Sequence, residues 1–189
     1  MRGVLAQEIH HRVKNNLQTV ASLLRLQARD ANVDPRKALE DSVNRILAIA
    51  AVHEVLTEQR DEDVDLAPLL GRLRAMLVQE VGAAGHEVTA ELDPVMLAGH
   101  RATALALVFS ELLANALEHG GVHVRVTLRE QDGEVVLEIA DDGAGVPAAP
   151  LRGTGLSIVR ALVRDELGGT FDLGGGGRGG TRAEVRFPA

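Results

Sequence analysis

Two apolar stripes in the first third of the chain constrain its fold more than any other feature. Ile9, Val13, Leu17, Val20 and Leu24 recur at spacings of four and three, which gathers them on one face of an α-helix. The pattern predicts a helix over residues 5–29. The run Asp30-Ala31-Asn32-Val33-Asp34-Pro35 interrupts it. Asp34 suits the cap of a second helix and Pro35 its first position. That helix is expected to reach residue 57, with Leu39, Val43, Ile46, Leu47 and Ala50 as its stripe. Ile49, Val52 and Leu56 form a second strip that widens the buried face. A hairpin of two such helices cannot cover both stripes by itself, so pairing with a second copy into a four-helix bundle is expected.

The pattern then changes. The acidic stretch at 61–65 reads as a linker between a helical segment, 1–60, and a second segment, 66–189. Helices are expected over 66–81, 101–119 and 156–167. Residues 86–92, 122–129, 134–140, 170–173 and 182–187 read as strands, because apolar and polar residues alternate or flank turn residues. Gln131-Asp132-Gly133 is the turn of one antiparallel hairpin. Helices mixed with antiparallel strands indicate an α+β helix-over-sheet sandwich. Only 2% of residues are aromatic, so Leu, Val, Ile and Ala must build the core.

Charge and composition narrow the function. A net charge of −7 without a basic block argues against nucleic acid as a ligand. The absence of cysteine excludes disulfides and thiolate metal sites. The apolar runs are too short for membrane insertion, and the N-terminus lacks a secretory pattern. A cytoplasmic protein is expected.

Chemistry concentrates at four places. His10 and His11 are adjacent on the first predicted helix. At about 100° per residue, His11 falls opposite the apolar stripe, with Lys14, Asn15, Gln18 and Ser22. His10 lies nearer the stripe's edge and reads as a packing or orienting residue. An exposed neutral imidazole is a nucleophile near neutral pH, and its phosphoramidate is labile enough to pass a phosphoryl group on. Arg12 and Lys14 stand ready to neutralise phosphate charge. Glu8 is placed to orient an imidazole or to pair with Arg12.

Glu111 and Asn115 are four apart, so they share one helix face. A carboxylate and an amide there suit ordered water and Mg²⁺ beside a triphosphate. Asp141-Asp142-Gly143-Ala144-Gly145 follows a predicted strand. Asp141 can accept a hydrogen bond from an adenine amino group, while Gly143 and Gly145 permit a tight turn and close backbone approach. Gly153-Thr154-Gly155-Leu156 opens a helix, whose N-terminal N–H groups can face phosphate. The densest glycine run, Gly174-Gly175-Gly176-Gly177-Arg178-Gly179-Gly180, reads as a flexible hairpin connection. His119 is expected to contact phosphate, and His123, beyond the break at Gly120-Gly121, is expected to be structural. Neither reads as a metal ligand.

Taken together, these motifs resemble the catalytic portion of a bacterial sensor histidine kinase. Residues 8–16 resemble the dimerisation helix of the HWE-related second HisKA subclass, where the accepting histidine precedes Arg. Residues 111–119 resemble the N box, 141–145 the first glycine box and 153–156 the second. The resemblance implies a Bergerat (GHKL) ATP-binding fold, a homodimeric bundle and the cofactors ATP and Mg²⁺. It also implies an aspartate on a response regulator receiver domain as the final acceptor. By position, His11 accepts phosphate, Asn115 binds Mg²⁺ and Asp141 reads adenine. Glu111 takes the acidic N-box place as proton acceptor or water organiser. The remaining nucleotide contacts are His119, Gly143, Gly145, Gly153, Thr154, Gly155 and Leu156.

The chain departs from the pattern in three ways. Glu118 stands where the N box often has a basic residue. The segment 146–152 is short, implying a minimal lid. Sensing is expected in a separate partner or in a domain missing from this chain. The alternative reading is a degenerate phosphotransfer module or scaffold that does not use ATP. A Bergerat-type serine kinase would leave the first sixty residues unexplained.

Overall fold

The computed structural model describes residues 35–59, 63–80, 85–146, 154–176 and 179–189. The helix expected over 5–29, with His11, lies outside the described residues, and so does Gly153. The elements run α1 (Pro35–Gln59), β1 (Asp63–Asp65), α2 (Leu66–Glu80), β2 (Glu87–Leu92), β3 (Met96–Ala98), α3 (Gly99–His119), β4 (His123–Gln131), β5 (Glu134–Asp141), α4 (Thr154–Asp165), β6 (Thr170–Gly175) and β7 (Thr181–Pro188).

Five strands form one sheet in the order β2-β4-β5-β7-β6. Alternation explains its two faces. Val124, Val126 and Leu128 of β4, Val135, Leu137 and Ile139 of β5, and Ala183, Val185 and Phe187 of β7 are all buried. They lie in register, with Val126 opposite Ile139 and Leu137 opposite both Leu128 and Val185. Each of the Val, Leu, Ile and Phe side chains contributes about 1.5–3 kcal/mol through removal from water. The intervening positions carry charge, including the linked pairs Arg182–Glu138, Arg186–Glu184 and Arg129–Glu91. The β4–β5 turn holds Asp132 and Gly133 at φ 55° and 79°, the left-handed pair that matches strand twist in a two-residue hairpin. The architecture is the expected α+β sandwich, with α2, α3 and α4 packed on the sheet.

Three local features differ from the sequence reading. The stretch at 61–65, read as a linker, contributes strand β1, which pairs antiparallel with β3, a three-residue strand that the sequence reading also lacked. Val64 and Leu97 face one another there and both are buried. Three residues are too few for alternation to register against an acidic background. Strand β2 runs parallel to β4, because β3 and α3 intervene and supply the long crossover that parallel pairing needs. Helix α3 begins at Gly99, earlier than expected.

Helix α3 is the centre of the molecule. Residues 102–113 are buried without a break, because α1 and α2 cover it on one side, α4 flanks it, and the sheet lies beneath. Helix α1 makes its contact through Ala48, Ile49, Ala51, Val52 and Val55. The strip expected to be secondary is therefore the one that packs within the chain. Leu39, Val43 and Ile46, expected in the main stripe, are exposed, and so is Ala50.

Candidate functional site

Helix α3 presents Glu111, Asn115 and His119 at successive turns. Their burial grades from the core outward: Glu111 is buried, Asn115 half-buried and His119 exposed. Glu111 is held by a residue that the sequence reading missed. Arg45 of α1 donates from Nε to Glu111 Oε1 at 2.5 Å. Arg45 is 1% exposed and Glu111 9%. Burial pushes the Glu111 carboxyl above the usual carboxylate range, while the Arg45 hydrogen bond and charge pull it back. The other oxygen faces the start of α4, where a Cβ on Gly155 would lie 2.6 Å from Glu111 Oε2. Glycine at 155 thus lets the helix N-terminus close onto the Glu111 carboxylate.

Helix α3 ends where β5 ends. Gly120 N donates to Ala116 O at 2.8 Å. A Cβ on Gly120 would lie 2.1 Å from that oxygen and 2.9 Å from the Asp141 Cβ. The close packing, rather than backbone conformation, explains this glycine. Asp141 sits at the base of the site. Its Oδ1 accepts from Gly143 N at 2.9 Å and from Thr181 N at 3.1 Å. These two bonds fix the orientation of the carboxylate through Oδ1.

Strands β6 and β7 pair on either side of the glycine run, and the described glycines of that run do more than connect them. A Cβ on Gly180 would fall 1.8 Å from Asp141 O. Gly145, at φ +80°, lies so close to Gly179 that a Cβ would meet its carbonyl oxygen at 2.5 Å. The segment 141–145 therefore rests on Gly179 and Gly180. The signal available in the sequence was Gly180-Thr181 directly before an alternating strand.

His123 pairs with the same segment. His123 N donates to Asp142 Oδ1 at 2.8 Å, and Nδ1 lies 2.7 Å from Asp142 Oδ2. Asp142 N returns a bond to His123 O at 3.2 Å. The hydrogen bond and charge of Asp142 raise the His123 imidazole, and the same bond lowers the Asp142 carboxyl. His123 thus has the structural place expected of it. Glu118 pairs with Lys37 of α1, so a cation from another helix stands beside the position where the N box often has its own. Leu156 packs partly buried against the core, and the Thr154 side chain lies outside the described residues.

Residues 8–81 match the family described as "Histidine kinase" (HisKA_2), and residues 100–189 match the "Histidine kinase-, DNA gyrase B-, and HSP90-like ATPase" family. The chain belongs to the histidine kinases. It is a catalytic core of the second HisKA subclass, as the motifs implied. The "Sensor histidine kinase PdtaS" of Mycobacterium tuberculosis is 39% identical over 195 residues, covering 96% of this histidine kinase chain and 39% of the relative. The "Blue-light-activated histidine kinase 2" of Erythrobacter litoralis is 28% identical, over 91% of this chain and 54% of its own length. This histidine kinase chain thus spans well under two thirds of the curated relatives it matches. The solved histidine kinase domain of the Erythrobacter litoralis EL346 blue-light kinase superposes with a TM-score of 0.77 at 25% identity, covering 96% of this chain and 92% of that one. Among the described residues, no helix is long and apolar enough to cross a membrane.

The donor set fits a nucleotide and its metal. Asn115 offers an amide oxygen, the kind of hard ligand that Mg²⁺ takes, beside a buried carboxylate and a glycine-opened helix N-terminus.

Proposed function

We propose that this chain is an ATP-dependent protein-histidine kinase that autophosphorylates on His11 and passes the phosphoryl group to an aspartate of a response regulator receiver domain. Asp141 reads the adenine amino group through Oδ2. Gly143, Gly145, Gly153, Thr154, Gly155 and Leu156 shape the bed for the nucleotide, with His119 at its phosphate end. Asn115 would hold Mg²⁺, which neutralises triphosphate charge when bound. A His11 ring nitrogen forms the new P–N bond as the bond from the γ-phosphorus to its bridging oxygen breaks. ADP leaves with that electron pair, and the other ring nitrogen gives its proton to Glu111 or to water ordered by it. Positioning and charge stabilisation carry most of such a reaction.

The observation that carries this reading is the closure of α4 on α3, with Gly155 against Glu111 and Asn115 one turn away. Residues 1–60 would then serve dimerisation and phosphate acceptance, and 66–189 nucleotide binding. The apolar Leu39, Val43 and Ile46 are exposed at spacings of four and three, which supports a homodimeric bundle. Sensing would come from a partner or from a domain outside this chain.

The test is incubation with labelled ATP and Mg²⁺. Label that is labile in acid and stable in base, abolished by His11→Gln and kept by His10→Gln, is the expected result. Acid-stable label, or label that survives His11→Gln, would overturn the assignment.

A further inference from the structure

We propose that Arg45 is a positioning residue for phosphoryl transfer: delivered by α1, it fixes Glu111 against Gly155, so the site is complete only while α1 is docked on α3. This inference rests on the kinase reading above.

Three observations carry it. The two oxygens of Glu111 are divided between elements, Oε1 to Arg45 of α1 and Oε2 toward Gly155 of α4. Arg45 thereby sets the rotation of the carboxylate that α4 meets. The two partners are also nearly fully buried. A buried ion pair is often no more stabilising than an apolar pair of equal volume, so its distinctive contribution here is direction.

The seam between α1 and α3 is registered along its length as well. Lys37 pairs with Glu118 about two turns from the Arg45–Glu111 pair on each helix, and half-buried Asp41 lies between the two cations. Ala48 and Val52, both at 0% exposure, continue the same contact. A one-residue slip of α1 would turn Arg45 by about 100° and remove it from Glu111. The position of α1, the helix that follows the histidine-bearing segment, is thereby linked to the start of α4 through one guanidinium.

The experiment uses the whole chain. Single-turnover autophosphorylation is measured for Arg45→Met, Arg45→Lys, Glu111→Gln and the Arg45→Met/Glu111→Gln double variant. The expected result for Arg45→Met is a rate at saturating ATP lowered about 10-fold or more, with KM for ATP changed less than about threefold. Arg45→Lys recovers part of the rate. In the Glu111→Gln background, Arg45→Met adds less than about twofold, because the two residues act as one unit. A wild-type rate in Arg45→Met, or an equal further loss in the Glu111→Gln background, would overturn the proposal.

If Arg45→Met does not fold, Arg45→Gln/Glu111→Gln replaces both ions with amides and is compared with Glu111→Gln alone; equal rates are expected, and a further large loss would refute the link. The Gly155 amide resonance in the nucleotide-free chain gives a readout independent of kinase activity. It should move in Arg45→Met and return in Arg45→Lys; an unmoved resonance overturns the link between Arg45 and Gly155. Failure of the wild-type chain to label would instead overturn the kinase reading and leave the resonance test standing.

Discussion

On the proposed reading Asp141 does two separable jobs, and substitution can divide them. Its Oδ1 accepts from two backbone N–H groups, Gly143 at 2.9 Å and Thr181 at 3.1 Å, while Oδ2 is the oxygen proposed to meet the nucleotide. Asp141→Asn keeps an oxygen for both backbone donors but places an NH₂ where Oδ2 was. That group would meet the adenine amino group donor to donor. A hydrogen bond to a charged group is worth about 1.5–3 kcal/mol, so ATP affinity should fall roughly 10- to 150-fold, at about 1.4 kcal/mol per tenfold. The amide oxygen of the Asn variant keeps both backbone bonds at neutral strength. Asp141→Ala leaves both backbone donors without an acceptor as well. Two neutral bonds of about 1 kcal/mol each give about 2 kcal/mol between the two variants, which for a chain of this size places the Tm of the Ala variant about 4–8 °C below that of the Asn variant. Calorimetric titration with ATP and a thermal melt followed by circular dichroism read the two effects. Wild-type ATP affinity in Asp141→Asn, or equal melting of the Asn and Ala variants, would refute the reasoning.

Two further perturbations test the base of the site. Gly180→Ala places a Cβ 1.8 Å from Asp141 O, against backbone that cannot give way. A loss of about 3 kcal/mol is expected, with weakened ATP binding, whereas Gly175→Ala, with open space around it, should stay within about 0.5 kcal/mol of wild type by chemical denaturation. The His123–Asp142 pair makes stability depend on pH. His123 is raised above its ordinary 6.5, so its contribution is full below that value and is lost as pH rises through the folded value. Asp142 is lowered from 3.8, so its contribution is present above that value and lost as pH falls through its folded value. The Tm advantage of wild type over His123→Gln should therefore be greatest between 3.8 and 6.5 and shrink in alkali; a difference that does not vary with pH would contradict this.

Much of the molecule was legible before any coordinates. Period-two alternation announced β4 and β5, and Asp132-Gly133 announced their turn, because both signals are local. The spacing of Glu111 and Asn115 placed both on one face of α3 for the same reason. Strand β1 was illegible because its single buried residue, Val64, needs Leu97 more than thirty positions away to make it a strand. Arg45 carried a faint local trace, a charge at helical spacing from Ile49 and Val52 in an otherwise apolar strip, but its partner could not be read from that strip.

The sequence by itself determined the family, the order of the longer elements and the residue types available for chemistry, since periodicity, turn residues and spaced motifs act over a few positions. Only the tertiary structure decided which strip of α1 meets α3, that Gly180 and Thr181 support Asp141, and that Arg45 reaches Glu111. Those pairings join segments 40 and 66 positions apart. Packing and the need to neutralise a buried charge select them, and neither is written in any local stretch of the chain.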